Sequence, residues 1–186
     1  MPAQPDVTQI VAGPGLIYIA PLGTTLPTLT FPLVWPAGWF AVGYTDAGID
    51  AIYTPTIKPF YVDEEAAVVL DILEKEDFKI QAKLAEVSLT NLNAAIAAST
   101  YVPTGTPQIT AGSMALSYVM VGVVGPAVST YNARVILLQK AITTVAVSMK
   151  ITRKDKQMFP VSWDARKISG QPLFSITDIG TGYEAS

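Results

Sequence analysis

The feature that most constrains the fold is a run of 47 residues, 87–133, that contains no Asp, Glu, Lys or Arg. A membrane-spanning helix needs about 20 predominantly apolar residues. The most apolar stretch inside the run, Met114–Val128, is shorter than that and contains two glycines and a proline. The run therefore predicts buried strands and subunit interfaces, where charged residues are depleted, and no membrane span.

The whole chain is also poor in charge. Of its 186 residues, 50% are hydrophobic and 15% are charged, whereas a soluble domain usually has about 25% charged residues. The length predicts one domain at 15–186 with a substantial core, preceded by a proline-containing N-terminal arm at 1–14. A monomer with so few charged residues would be poorly protected against association. We therefore expect much of the surface to be buried in an assembly.

Short apolar segments separated by turn residues recur along the chain, which predicts a mainly β fold, a β-sandwich or half-barrel. Pro55 makes the third segment an edge strand or irregular arm, and the charged residues 73–77 predict a turn. Ser88 is a good N-cap for one flanking α-helix at about residues 89–98. The predicted strands are Leu16–Ala20, Trp39–Tyr44, Ile49–Ile57, Val68–Ile72, Phe78–Glu86, Ala115–Val124, Asn132–Lys140, Val145–Thr152, Phe159–Trp163 and Leu173–Ile179.

Two segments have too many apolar residues for ordinary loops. The segment 21–38 is rich in proline and glycine, and a loop of this length in a compact domain is usually functional or disordered. We expect it either to dock onto another subunit or to fold over its own core. The segment 53–63 is a second arm that could order on assembly. The candidate inter-subunit contact residues are Leu29, Phe31, Leu33, Val34, Trp35, Tyr53, Phe60 and Tyr61.

The sequence contains no constellation for catalysis. Without histidine or cysteine, the common nucleophilic triads and zinc sites are impossible, and no glycine-rich phosphate-binding motif is present. A cluster of acids remains, but nothing places a pair of them in a cleft, and the ligand order of a calcium-binding loop is missing. We therefore expect no enzyme activity, no cofactor and no metal site. The clustered acids are Asp63, Glu64, Glu65, Asp71, Glu74, Glu76 and Asp77.

Several short motifs follow one another in a recognisable order. They are Gly15–Pro27, Trp39, Val42–Tyr44, Asp46–Ile49, Val68–Ile72, Ala82–Glu86, Leu89–Leu92, Pro160–Ala165 and Leu173–Asp178. Their order and spacing resemble the major tail proteins, or tail tube proteins, of long-tailed, non-contractile bacteriophages (siphophages). The resemblance covers nearly the whole chain, and the proline-rich insertion at 29–36 departs from it.

The resemblance implies a structural virion protein whose subunits form hexameric rings. The rings would stack into a hollow tail tube through which phage DNA leaves without being bound specifically. Its partners would be itself, the tape measure, the tail terminator and the baseplate or tip proteins, and assembly would take place in the host cytoplasm. An acidic tube wall would repel the DNA backbone, so we expect some of the clustered acids to face the lumen, with Asp71 the best single candidate because it lies on a predicted strand.

Two other functions remain open from the sequence. The chain could be a tail terminator or head–tail joining protein, which forms one ring and stops. It could instead be a β-sandwich module that binds carbohydrate or a host surface through exposed Trp and Tyr side chains.

Overall fold

The structure is a computed structural model, and it describes residues 11, 13–62, 65–112, 115–128, 130–149 and 156–180. These residues form ten strands and one short helix. In chain order they are β1 (Leu16–Pro21), β2 (Phe40–Ala41), β3 (Thr45–Val62), β4 (Glu65–Leu84), α1 (Leu89–Ala95), β5 (Ser99–Val102), β6 (Gln108–Ala111), β7 (Val119–Gly125), β8 (Ala133–Thr143), β9 (Phe159–Ala165) and β10 (Ser175–Ile179).

One antiparallel sheet dominates the fold, with strand order β2-β1-β7-β8-β9-β4-β3 and with β10 paired to β8. The pair β5–β6 forms a separate small hairpin. The sheet curls on itself: a Cβ added at Gly15, next to β1, would lie 2.9 Å from the Ile49 side chain on β3, near the other end of the strand order. The prediction of a mainly β fold with one helix is confirmed.

The core lies on the concave side of the sheet, which we call the inner face. Trp163 and Phe159 on β9 and Ile80 on β4 are fully buried there, because alternate residues of a strand point to the same face. Helix α1 covers this face: Trp163 Nε1 and Thr143 Oγ1 both donate hydrogen bonds to the Ala94 carbonyl. The described residues contain no helix long and apolar enough to cross a membrane.

The start of α1 is hydrogen-bonded to the segments that follow β2 and β4. Ser88 caps the helix by accepting a hydrogen bond from the Asn91 N–H, as its sequence position predicts. The buried Asn91 amide donates to the Val42 carbonyl at 2.8 Å and to the Glu86 carbonyl at 3.0 Å. A single side chain therefore joins the segment after β2 to the segment after β4.

Several predicted boundaries were wrong. Residues 73–77 are not a turn but the middle of the 20-residue strand β4. Of the predicted strand 145–152, residues 145–149 lie outside any strand and 150–152 lie outside the described residues. The predicted strand 39–44 is limited to β2, and the helix ends at Ala95. The hairpin β5–β6 was not predicted, since its polar, threonine-containing sequence is typical of a loop. Of the two alternatives for the segment around Pro55, the edge strand is the one observed, because β3 is the last strand of the sheet among the described residues.

Candidate assembly surfaces

The most exposed element is the outer half of the β3–β4 hairpin. Strand β9 pairs with β4 only over Lys79–Leu84, so Tyr53–Val62 and Glu65–Phe78 pair only with each other. We call this two-stranded part the distal ribbon; with about 3.3 Å per residue it extends for about 30 Å. A two-stranded ribbon alone is marginally stable in water, so this one needs a further surface to pack against.

The root of the ribbon is fixed to the domain by aromatic contacts. Phe174 stacks on Phe78 with ring centroids 4.0 Å apart and also contacts the Tyr53 ring at 5.8 Å. The Tyr53 hydroxyl donates a hydrogen bond of 2.8 Å to Glu76 Oε1. This hydrogen bond to the carboxylate raises the pKa of Tyr53 above its usual value. These contacts fix the direction in which the ribbon leaves the sheet.

A β-bulge at Glu74 sets which side chains share a face of the ribbon. Thr56 pairs with Lys75 but Ile57 pairs with Leu73, so Glu74 is an extra residue in β4. Directly opposed residues point to the same side of a sheet. The pair Ile57–Leu73 therefore continues the inner face of the domain.

The opposite side of the ribbon continues the outer face. Phe60 pairs with Leu70 and Lys58 pairs with Ile72, one residue out of phase with the inner pairs. The Lys58 ammonium lies 5.7 Å from the centroid of the Phe60 ring, which agrees with their position on one face.

Apolar side chains are exposed on both faces of the distal ribbon. The nine large ones are each between 43% and 62% exposed, which is unusual for neighbouring residues of a soluble domain. They include the predicted contact residues Tyr53, Phe60 and Tyr61, which lie on the same ribbon, Tyr53 at its root and Phe60 and Tyr61 farther along β3. The full set is Tyr53, Ile57, Phe60, Tyr61, Val68, Val69, Leu70, Ile72 and Leu73.

The predicted contact residues of the segment 21–38 lie elsewhere, on the outer face of the sheet. Leu29, Leu33 and Trp35 pack against a small cluster formed by Val135, Leu137 and Ile179. The segment is therefore folded over its own sheet, one of the two alternatives that the sequence left open. Phe31 and Val34 remain 55% and 69% exposed, so this part of the segment still presents apolar surface.

Trp35 is the centre of this covering segment. It stacks on Tyr18 of β1 with ring centroids 4.3 Å apart and contacts the Trp39 ring at 4.7 Å. Its six-membered ring lies directly over Gly122 of β7, where a Cβ would overlap it. Trp39 in turn donates its indole N–H to the Thr25 carbonyl at 2.9 Å. No pattern in the sequence predicts the pairing of Trp35 with Gly122.

The clustered acids that the structure describes lie along β4 of the ribbon rather than on one surface. Asp63 and Glu64 lie outside the described residues, and the side chain of Glu65 is not described. Asp71 and Glu74 are exposed, and among the described residues neither makes an ion pair. Glu76 accepts the Tyr53 hydrogen bond and Asp77 pairs with Lys75 at 2.6 Å. In the part of the chain that the structure describes, no group of acids is arranged to hold a metal ion.

Two further ion pairs fix other parts of the sheet. Arg134 of β8 and Asp178 of β10 form two parallel hydrogen bonds of 2.6 and 2.8 Å. The guanidinium holds the pKa of Asp178 below its usual value through these bonds. Lys156 pairs with Asp46 at the start of β3, and this hydrogen bond likewise lowers the pKa of Asp46. Each pair joins two parts of the chain that are distant in sequence: Arg134 and Asp178 join β8 to β10, and Lys156 and Asp46 join the segment before β9 to β3.

Comparison with known proteins assigns the family. The family model described as phage tail tube protein matches residues 1–178. The chain belongs to the phage tail tube protein family. No individually curated protein matches it. Tail tube proteins are structural virion proteins that associate with themselves and with other tail proteins. The chain is therefore a structural component of a phage tail.

Proposed function

We propose that this protein assembles into hexameric rings and that these rings stack into the hollow tube through which phage DNA passes. The observation that carries the proposal is the distal ribbon, because its exposed apolar side chains require a partner and the tail tube family associates with itself. The subunit acts as a scaffold and performs no catalysis. Assembly takes place in the host cytoplasm.

The area of the ribbon agrees with a specific contact. An aromatic side chain has on the order of 150–250 Å² of surface and an aliphatic one less, so the nine side chains at about half exposure offer several hundred Å² over the two faces of the ribbon. Each partner in a stable interface contributes about 800 Å². The ribbon can therefore supply a substantial part of the contact between subunits, and the rest of the area comes from other surfaces.

The main sheet offers a second means of association. Near the root of the hairpin, β3 has β4 on one side and no strand on the other within the described residues, and β2 and β1 form the opposite edge. Free strand edges are a hazard for a monomer because they template pairing with other chains. In a ring, neighbouring sheets can join edge to edge and remove this hazard.

The acids of the ribbon support a role in DNA passage. The wall of a DNA channel must not bind phosphate, because each basic contact would retard the DNA. We assign some of the seven acids to the lumen, where they repel the backbone and keep the DNA from binding specifically. The remaining contacts of the tube, at its two ends and inside it, are with the terminator, the baseplate or tip, and the tape measure protein.

The two other functions that the sequence left open were a carbohydrate-binding or host-binding module and a ring-forming terminator or joining protein. All three tryptophans of the chain lie at least partly inside it: Trp163 is buried, Trp35 stacks on Tyr18, and Trp39 packs on Trp35. A carbohydrate-binding platform would therefore have to use exposed tyrosines, such as Tyr44 and Tyr61. A terminator that forms a single ring differs from a tube protein only in whether its rings stack.

Negative-stain electron microscopy of the purified protein tests the proposal. Long tubes with six-fold end views are the expected result. Single rings that never stack would identify a terminator, and dispersed particles at all concentrations would contradict self-assembly.

The lumen assignment has its own test in the virion. Charge reversal of the exposed acid Glu74 together with Asp63 and Glu64 to Lys should leave tubes intact but slow DNA ejection. Asp50→Lys, at an exposed acid outside the ribbon, compared with Glu74→Lys alone, is the control for an equal change in net charge. Ejection at the normal rate from virions that carry the reversed acids would refute the assignment.

A further inference from the structure

We infer that the distal ribbons of neighbouring copies stack on one another, the inner face of one ribbon against the outer face of the next. The inference rests on the proposed self-assembly and specifies which surfaces meet. The partner of the ribbon is thus a second copy of the same ribbon.

Apolar side chains are exposed on both faces of the ribbon, so both faces need a partner surface that buries them. On the inner face, Ile57 and Leu73 are directly opposed and 56% and 51% exposed. On the outer face, Phe60 and Leu70 are directly opposed and 43% and 56% exposed. A ribbon that lay on a single surface would bury one of these pairs and leave the other in water. Stacking in a series buries both.

The free edge of the ribbon is unsuited to association. Pro55 and Pro59 lie four residues apart on β3, so their nitrogens point to the same side, and the pairing with β4 continues through both. A proline nitrogen cannot donate a hydrogen bond, so these positions are tolerated only where the nitrogen faces away from the neighbouring strand. The outer edge of β3 therefore lacks two donors there, and a further strand cannot pair continuously along it. The faces remain for docking.

The charges of the two faces are complementary. Asp71 pairs with Pro59 on the inner face, between apolar residues of β4, and Lys58 lies beside Phe60 on the outer face. When the inner face of one ribbon covers the outer face of the next, each Asp71 can meet the Lys58 of its neighbour. Two inner faces together would place Asp71 against Asp71, and two outer faces would place Lys58 against Lys58, both unfavourable.

Such a contact is between two different surfaces, so it can be repeated. A head-to-tail interface generates a closed ring when its rotation closes and an open filament when it does not. Stacked ribbons therefore bind each copy to two others. In this arrangement Asp71 belongs to the interface, and the lumen is lined by other acids.

A charge exchange tests the contact directly. Asp71→Lys and Lys58→Asp each place like charges together, so each should raise the protein concentration required for tube formation about tenfold or more. The double variant Asp71→Lys/Lys58→Asp restores the opposite charges and should return this concentration to within about threefold of the wild-type value. Failure of the double variant to recover, or normal assembly of both single variants, would overturn the inference. Glu74→Lys, at the bulge, is the control for charge reversal without a partner, and it should assemble normally.

Truncation of one face at a time tests whether both faces are covered. Ile57→Thr/Leu73→Thr and Phe60→Thr/Leu70→Thr each remove one apolar pair, and the β-branched threonine keeps a high propensity for strands. Both variants should lose tubes at wild-type concentration. If one of them assembles normally, the ribbon lies on a single surface and the stacking is refuted. Near-ultraviolet circular dichroism of the buried Trp163 shows that the domain of each variant is folded.

The outcomes separate this inference from the proposed function. If the wild-type protein forms no tubes, self-assembly itself fails. If it forms tubes but the charge exchange does not recover, the tube stands and the stacking fails.

Discussion

Substitution of Gly122 by Ala should destabilise the protein although alanine is normally the better strand residue. Glycine in a strand costs about 0.5–1 kcal/mol relative to alanine. At Gly122, however, the new Cβ would lie 2.7 Å from Cζ3 of Trp35 and closer still to Cη2. Trp35 cannot retreat freely because Tyr18 stacks on it and Trp39 packs beside it. Overpacking of this kind costs typically 1–3 kcal/mol, so we expect a net loss of about 1–2 kcal/mol.

Gly125→Ala is the matched control, since Gly125 is in the same strand and a Cβ there would have no atom within 4 Å. It should be neutral or stabilise by up to about 1 kcal/mol. Urea unfolding followed by tryptophan fluorescence, at a concentration where the protein is monomeric, measures both. With Trp35→Leu as background, the cost of Gly122→Ala should disappear. Equal stability of the Gly122→Ala and Gly125→Ala variants would refute the placement of Trp35 over β7.

Two further substitutions test the joints of the sheet. Asn91→Ala leaves the carbonyls of Val42 and Glu86 without their donor and should cost about 2–3 kcal/mol in urea unfolding; a loss under 0.5 kcal/mol would contradict this joint. Asp178→Asn should cost about 1 kcal/mol or less at pH 7, because the Arg134 pair is partly exposed. The native pKa of Asp178 lies below its unfolded value near 3.8, so the stabilisation is complete above that value and is lost as pH falls through the native pKa. Wild type and Asp178→Asn should therefore converge in stability as the pH falls through the native pKa of Asp178, and a difference that stayed constant through that acid range would exclude the ion pair as its cause.

The sequence predicts strands well where one face is buried and poorly where neither is. In Phe78–Leu84 the alternation of apolar and polar residues follows from the core beneath it, and the strand was correctly predicted. Residues 73–77 belong to the same strand, but they lie in the ribbon, exposed to solvent on both sides. No burial pattern is imposed there, and the bulge at Glu74 shifts the alternation by one residue. The charged composition was therefore mistaken for a turn.

The candidate contact residues show the same limit. An apolar loop must be covered, but its sequence does not say by which surface. Trp35 is covered by Tyr18 and lies over Gly122. Gly122 is far from Tyr18 in the chain, and the two residues form one surface only because β1 and β7 are neighbouring strands. Phe60 and Tyr61 stay 43% and 62% exposed in the part of the chain that the structure describes, and this exposure of the ribbon is visible only in three dimensions.

The distribution of charge has a different meaning once the fold is known. The uncharged run 87–133 supplies α1 and β7, more than half of whose residues are buried in the subunit itself. Elsewhere in the run, as in the hairpin β5–β6, many uncharged residues are exposed, so burial in the subunit explains only part of the lack of charge. The interface proposed above lies in the ribbon, which carries many of the charges of the chain. Apolar pairs such as Ile57–Leu73 and Phe60–Leu70 would supply affinity for any apolar surface, including incorrect ones. Asp71 and Lys58 then select the one stacking direction in which opposite charges meet, so that the same contact repeats from copy to copy.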